Sequence, residues 1–144
     1  MADVSGAAFE DWLAIVTLKA RYCRLLDTKD WDGWADVFTE DYVLDTTGSG
    51  GYRIEGRAAA IEAVRGSIGD AVTAHHVHNP EIEIDGDTAS AIWAMQDRNV
   101  WPDGRKLLGF GHYTETYRRG DGEWRIATSA LTRLGMELEG FPEA

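Results

Sequence analysis

The sequence predicts an α+β domain in which helices from the first half cover one face of a curved antiparallel sheet built by the second half. Three observations point there. Helical periodicity dominates the residues before Thr73, and long strands punctuated by turn residues follow it. No repeat, low-complexity tract or linker separates the two halves, so residues 1–144 read as a single domain with its core over about 8–136. A chain of 144 residues can bury roughly two thirds of its unfolded surface and needs no staple.

The elements follow in order. From Ala7 to Leu26 no Pro or Gly intervenes, and Trp12, Ile15, Val16, Lys19, Ala20, Cys23 and Leu26 recur near 3.6-residue spacing, with Lys19 the one polar member of the stripe. Asp30 reads as the N-cap of a shorter helix whose Trp31, Trp34, Val37 and Phe38 share one side. Tyr42 to Asp45 is β-rich, Gly48 to Gly51 breaks it, and Tyr52 to Ile54 is a short return strand. Arg57 to Ile68 is Ala-rich and makes a third helix. Thr73 to His78 and Glu81 to Ile84 read as two strands, the second closed by Asp85-Gly86-Asp87. Ala89 to Trp101 runs to the turn at Pro102-Asp103-Gly104, Lys106 to Tyr117 returns, and Glu123 to Thr132 completes the set. Strands this long twist and coil, so the sheet should curl and leave a pocket against the first helix.

Composition narrows the function. Fourteen basic against 25 acidic residues give a net charge of −11, which repels phosphate backbones and anionic lipid; neither nucleic acid nor a membrane is an expected partner. Cys23 is the lone cysteine, so neither a disulfide nor a Cys-x-x-Cys site can form within the chain. The apolar run Trp12 to Leu18 falls far short of the ~20 residues that span a bilayer, and no basic-then-apolar leader is visible. A cytoplasmic location is expected.

Polar residues on apolar faces carry the chemistry. Trp93, Met95, Asp97, Asn99 and Trp101 share a strand face by the two-residue period, which sets Asp97 among buried neighbours. His76 and His78 point one way and His75 the other. His76-x-His78 followed by Glu83 partly matches the cupin metal motif, but its second half is missing, and no metal is expected. Tyr22 and Asp27 lie about 140° apart on a helix and converge only if it ends between them. A carboxylate at a helix C-terminus is opposed by the dipole, so Asp27 needs a cation, a turn hydrogen bond or a catalytic duty to offset it. Arg133 shares a face with Leu131, opposite Trp124 and Ile126, unless a bulge re-aims the strand end.

Arg21 to Asp27 with Asp30-Trp31-Asp32, His75 to Ile84, Trp93 to Asp97, and Tyr113 to Tyr117 leading to Trp124-Arg125-Ile126 resemble the SnoaL-like branch of the nuclear transport factor 2-like superfamily. The resemblance covers nearly the whole chain and implies a cone of curved sheet closed by helices over a deep pocket. Within it the pocket is most similar to that of bile acid 7α-dehydratase, which implies catalytic roles for Tyr22, Asp27, His78, Asp97 and Arg133. Trp34, Trp93, Met95 and Trp101 are candidates for pocket lining.

The chemistry implied is cofactor-independent elimination from a small apolar polycyclic or aromatic substrate. His78 would take a carbon-bound proton and Asp27 would fix its tautomer. Tyr22 would donate to the oxyanion, Arg133 would stabilise negative charge, and a protonated Asp97 would act as acid. The alternatives are a ketosteroid-isomerase-like reaction with Asp45 as base, polyketide-cyclase-like proton transfer at Asp97, and a non-catalytic ligand-binding domain. The family usually associates, and Gln96, Arg98 and Val100 on the outer strand face suit a homodimer or homotrimer contact.

Overall fold

The computed structural model describes residues 6–143. Helix α1 (Gly6–Asp27) is followed by α2 (Trp31–Ala35), β1 (Phe38–Asp45), a 3-10 turn (Thr47–Ser49), β2 (Arg53–Glu55) and α3 (Arg57–Ile68). Four long strands then run as β3 (Val72–Asp85), β4 (Thr88–Val100), β5 (Lys106–Gly120) and β6 (Glu123–Glu139). They form one curved six-stranded sheet in the order β2-β1-β6-β5-β4-β3, with the helices in the N-terminal half of the chain. Hairpins make β3 to β6 antiparallel, whereas β1 pairs with β6 in parallel. No hairpin links β1 to β6, so connectivity leaves their direction free and the sheet is mixed.

Helix α1 buries Ile15, Leu18, Lys19, Tyr22, Leu25 and Leu26, a stripe rotated from the expected one: Trp12 and Ala20 are exposed. Its end is a Schellman motif, with Lys29 N–H donating to the Leu26 carbonyl and Asp30 N–H to the Leu25 carbonyl. Lys29 fills the left-handed position of that motif, at φ 61°, where Gly is usual. The Asp30 carboxylate then accepts from Gly33 N–H at 3.0 Å and starts α2, as the sequence predicts. This helix stops at Ala35, so Val37 and Phe38 leave it, and Phe38 opens β1 instead.

Two irregularities in the long strands matter for the site. Asn79, at φ 49°, and Pro80 sit at a register shift between His78 and Glu81, so the two expected strands are one continuous strand with a bulge. In β6, Tyr117 faces Ile126 while Thr116 faces Thr128, which leaves Ala127 as an extra residue. That insertion reverses the strand's parity and brings Trp124, Ile126, Ser129, Leu131 and Arg133 to the face beneath the helices. Among the described residues no helix is long and apolar enough to cross a membrane.

Candidate active site

A cavity of about 210 Å³ lies between α1, α2, α3 and the sheet, and Tyr22, Trp34, His75, Asp97, Asn99 and Arg133 line it together. A larger depression of about 570 Å³ is bounded by Asp41, Glu83, Asp85 and Arg118, whose side chains are exposed surface. The smaller cavity holds the buried polar cluster, and the chemistry belongs there.

Asp27 ends α1 and turns toward β3. Its Oδ1 accepts from the Thr73 hydroxyl at 2.9 Å and lies 2.7 Å from His75 Nδ1, while Oδ2 accepts from His75 N–H at 2.8 Å. Burial alone would raise this carboxyl, but the hydrogen bonds from the His75 ring and backbone and from Thr73, with the His75 charge, outweigh it and hold it below the usual carboxylate range. These contacts supply the offset that a carboxylate at a helix C-terminus requires. Lys29 adds to it, since its Nζ donates to Thr73 Oγ1 at 2.6 Å. The side chain that makes this bridge belongs to the residue held in the left-handed conformation.

An ionised Asp27 only accepts, so the proton between it and His75 sits on Nδ1, and in the neutral ring Nε2 carries the lone pair. His75 lines the cavity, and its Nε2 lies 3.9 Å from Asp97 Oδ2. Asp97 in turn takes a two-pronged contact from Arg133, at 2.7 and 2.8 Å, and a hydrogen bond from Asn99 Nδ2 at 3.2 Å. It accepts at each of these contacts, the arrangement of a carboxylate rather than of the expected acid. Hydrogen bonding to Asp97 raises the Arg133 guanidinium further, against the opposing effect of burial. Gly109 makes room for this pair: a Cβ there would stand 1.8 Å from Arg133 Nη1 and 2.8 Å from Asp97 Oδ1.

Tyr22 and Tyr113 pack edge to face, ring centroids 5.9 Å apart, and burial raises both phenols well above the usual range. Both therefore stay protonated, and both line the cavity, so a phenol hydrogen is at hand for a ligand. Beneath them Lys19 places its ammonium 3.6 Å from the Tyr22 ring centroid and 3.8 Å from that of Tyr113. Burial pushes the Cys23 thiol up to about 11, so it is no thiolate nucleophile at neutral pH.

The structure thus brings together four of the five residues expected to be catalytic: Tyr22, Asp27, Asp97 and Arg133. The fifth, His78, is exposed on the outer face of β3, and His75 occupies the place assigned to it. Trp34 and Trp101 line the cavity as expected. Trp93 and Met95 share the buried face but lie further along β4 in the packed core, where Trp93 Nε1 donates to the Tyr117 hydroxyl at 2.9 Å. Asp45 faces its own turn, accepting from the backbone N–H and hydroxyl of Thr47, and does not line the cavity. Sequence reasoning missed Tyr113, which carried no signal beyond alternation, and Gly109, whose place inside a strand marks a close approach.

A curved mixed sheet with helices in the N-terminal half of the chain is the fold of the nuclear transport factor 2-like class, and here it encloses the His–Asp cavity. A model of the SnoaL-like domain matches residues 7–130, and the chain belongs to that family. Among solved structures it is similar to a Novosphingobium aromaticivorans protein provisionally named an aromatic ring hydroxylase. The identity is 32%, with 92% of this chain and 94% of the other covered at a TM-score of 0.84. It shares its fold with another protein of that organism, provisionally named a scytalone dehydratase (21% identity, 94% and 92% covered, TM-score 0.83). It shares it also with a type 2 hexachlorocyclohexane dehydrochlorinase (18%, 94% and 94%, 0.81).

Proposed function

We propose that this chain is a cofactor-independent lyase of the dehydratase type, which removes a carbon-bound proton beside a carbonyl of a small ring compound. The observation that carries the reading is the His75 ring, locked at Nδ1 by Asp27 and turned so that it lines the cavity. His75, in place of His78, is the base. Its Nε2 takes the proton, and the C–H electron pair moves onto the carbonyl oxygen, which accepts a hydrogen bond from the Tyr22–Tyr113 pair. Asp27 and Asp97 flank the imidazolium with negative charge. Collapse of the enolate expels a hydroxyl from the neighbouring carbon; with the proton returned by His75 it leaves as water, and a conjugated double bond remains. The names of the dehydratase and dehydrochlorinase that share the fold, both eliminations, support this reaction class.

Drug-sized ligands occupy clefts of roughly 300–1,000 Å³, so a cavity of about 210 Å³ suits one or two rings, the small end of the polycyclic or aromatic range expected from the sequence. Trp34, Trp101, Leu44, Ile68 and Leu131 supply its apolar walls. The test is hydrogen–deuterium exchange at C2 of 1-indanone in D₂O, followed by NMR. The wild type should accelerate exchange, and His75→Gln should lose roughly 10²–10⁴-fold of it while His78→Gln loses none. A wild type that binds 1-indanone without exchanging it would be a ligand carrier and no lyase.

We further infer that copies associate through the outer sheet face, where Ile92, Leu108 and Phe110 are 40%, 41% and 46% exposed. Phe110→Asp should then reduce the mass seen by sedimentation to that of one chain. A wild type already monomeric at micromolar concentration would remove the inference.

A further inference from the structure

Trp34 and Asn99 both line the cavity, and each has one buried polar atom with no hydrogen-bond partner among the described residues: Trp34 Nε1 and Asn99 Oδ1. Their residues are 2% and 3% exposed, so neither is served by bulk water. Thr39 Oγ1, the other such atom among the described residues, belongs to a residue that does not line the cavity, and the buried Glu115 is fully met, accepting from Lys19, Tyr117 and Ser129. A buried donor and a buried acceptor left over on two residues that line one cavity are the groups a ligand there would complete.

Both atoms are fixed in direction. The Trp34 indole is held in α2 by ring contacts with Phe38 at 4.9 Å, Tyr22 at 5.5 Å and Trp31 at 5.8 Å, and its N–H can only donate. Asn99 is oriented by Asp97, because only its amide nitrogen can face that carboxylate; the reverse orientation would set a carbonyl oxygen against it. The carbonyl oxygen of Asn99 therefore stays free, and it can only accept.

We infer that Trp34 and Asn99 are the specificity-determining pair of this site, and that its ligand is an oxygenated ring compound. Such a compound carries an acceptor oxygen (carbonyl or ether) that meets the Trp34 N–H and a hydroxyl that donates to Asn99 Oδ1. The inference rests on the cavity being the substrate site, as proposed above, and adds the pattern of groups a substrate must present. A site built this way rejects an analogue lacking either group, because the buried partner is then left unmet.

Four probes of one skeleton separate the contributions: indane with neither group, 1-indanone with the acceptor, 5-indanol with the donor, and 5-hydroxy-1-indanone with both. Dissociation constants come from titration calorimetry. In the wild type each matched group should tighten binding by about tenfold. Trp34→Phe should cut the gain from the carbonyl to what the tyrosine hydroxyls alone supply and keep that from the hydroxyl, and Asn99→Leu should erase the gain from the hydroxyl and keep that from the carbonyl. A crystal structure of the wild type with 5-hydroxy-1-indanone gives a second measurement that needs no variant, and should show oxygens within hydrogen-bond distance of both atoms. Gains that persist in both variants, a bound probe contacting neither atom, or no binding of any probe at millimolar concentration would each overturn the pair. Bound 1-indanone that exchanges no deuterium would sink the lyase and leave the recognition pair standing; exchange with unaltered selectivity in both variants would do the opposite.

Discussion

Asp27→Asn should lower the rate of 1-indanone exchange by roughly 10²–10⁴-fold while leaving the fold intact, because it reverses the tautomer of His75. The carboxylate now accepts three hydrogen bonds from β3. An amide can accept at one end only. The His75 backbone N–H cannot turn away, so the amide oxygen must face it and the NH₂ must face Nδ1 and Thr73. Nδ1 then accepts, the ring proton moves to Nε2, and the cavity meets an N–H where it had a lone pair. The same substitution has a pH signature. The Asp27 carboxyl is held below its ordinary value in the folded chain, so its contribution to stability is present above the unfolded value of about 3.9 and is lost as pH falls through the folded one. The stability gap between wild type and Asp27→Asn, measured by urea unfolding, should therefore close as pH drops below about 4. A folded variant with unchanged exchange would take Asp27 out of the mechanism.

The position of His75 shows what strand periodicity can and cannot carry. Alternation correctly sets His75 on one face and His76 with His78 on the other, but it does not say which face is covered. Val77 shares the His75 face, and the exposed Val72 shares that of His76 and His78, so apolar content did not decide between them. The helices of the first half settle the question, since Asp27 arrives over the His75 side. Arg133 shows the same limit in another form. Simple counting sets it opposite Ile126, and only the extra residue at Ala127 turns it to Asp97; nothing in Ala127 itself announces a bulge. The face of β4 was legible throughout, because Trp93, Met95 and Trp101 fix its burial and carry Asp97 and Asn99 with them. Lys19 stood out as a polar residue on an apolar stripe, but its partner lies on a strand 96 residues away, beyond any local pattern.

That partner makes Lys19 and Glu115 a stability-sensitive pair. Both side chains are fully buried, with Nζ 3.0 Å from Oε2. Glu115 also accepts from Ser129 Oγ at 2.5 Å and from the Tyr117 hydroxyl at 2.9 Å, while Lys19 rests on the Tyr22 and Tyr113 rings. Removing one member leaves the other charged and without a counterion in a dry core. Lys19→Met and Glu115→Leu should each therefore cost about 3–5 kcal/mol, a fall in Tm of roughly 10–17 °C. The double variant should cost well below the sum, since both charges leave together and Leu and Met fill the space. It should not reach zero, because the Tyr117 and Ser129 hydroxyls then lose their acceptor. Glu115→Leu should cost more than Lys19→Met for a related reason: it strands the buried ammonium and two hydroxyl donors, whereas Lys19→Met leaves Glu115 with both hydroxyls still donating to it. Single variants within 1 kcal/mol of wild type in urea unfolding would mean that water reaches this pair. The Lys19 charge would then be too well screened to hold the two tyrosines that face the cavity.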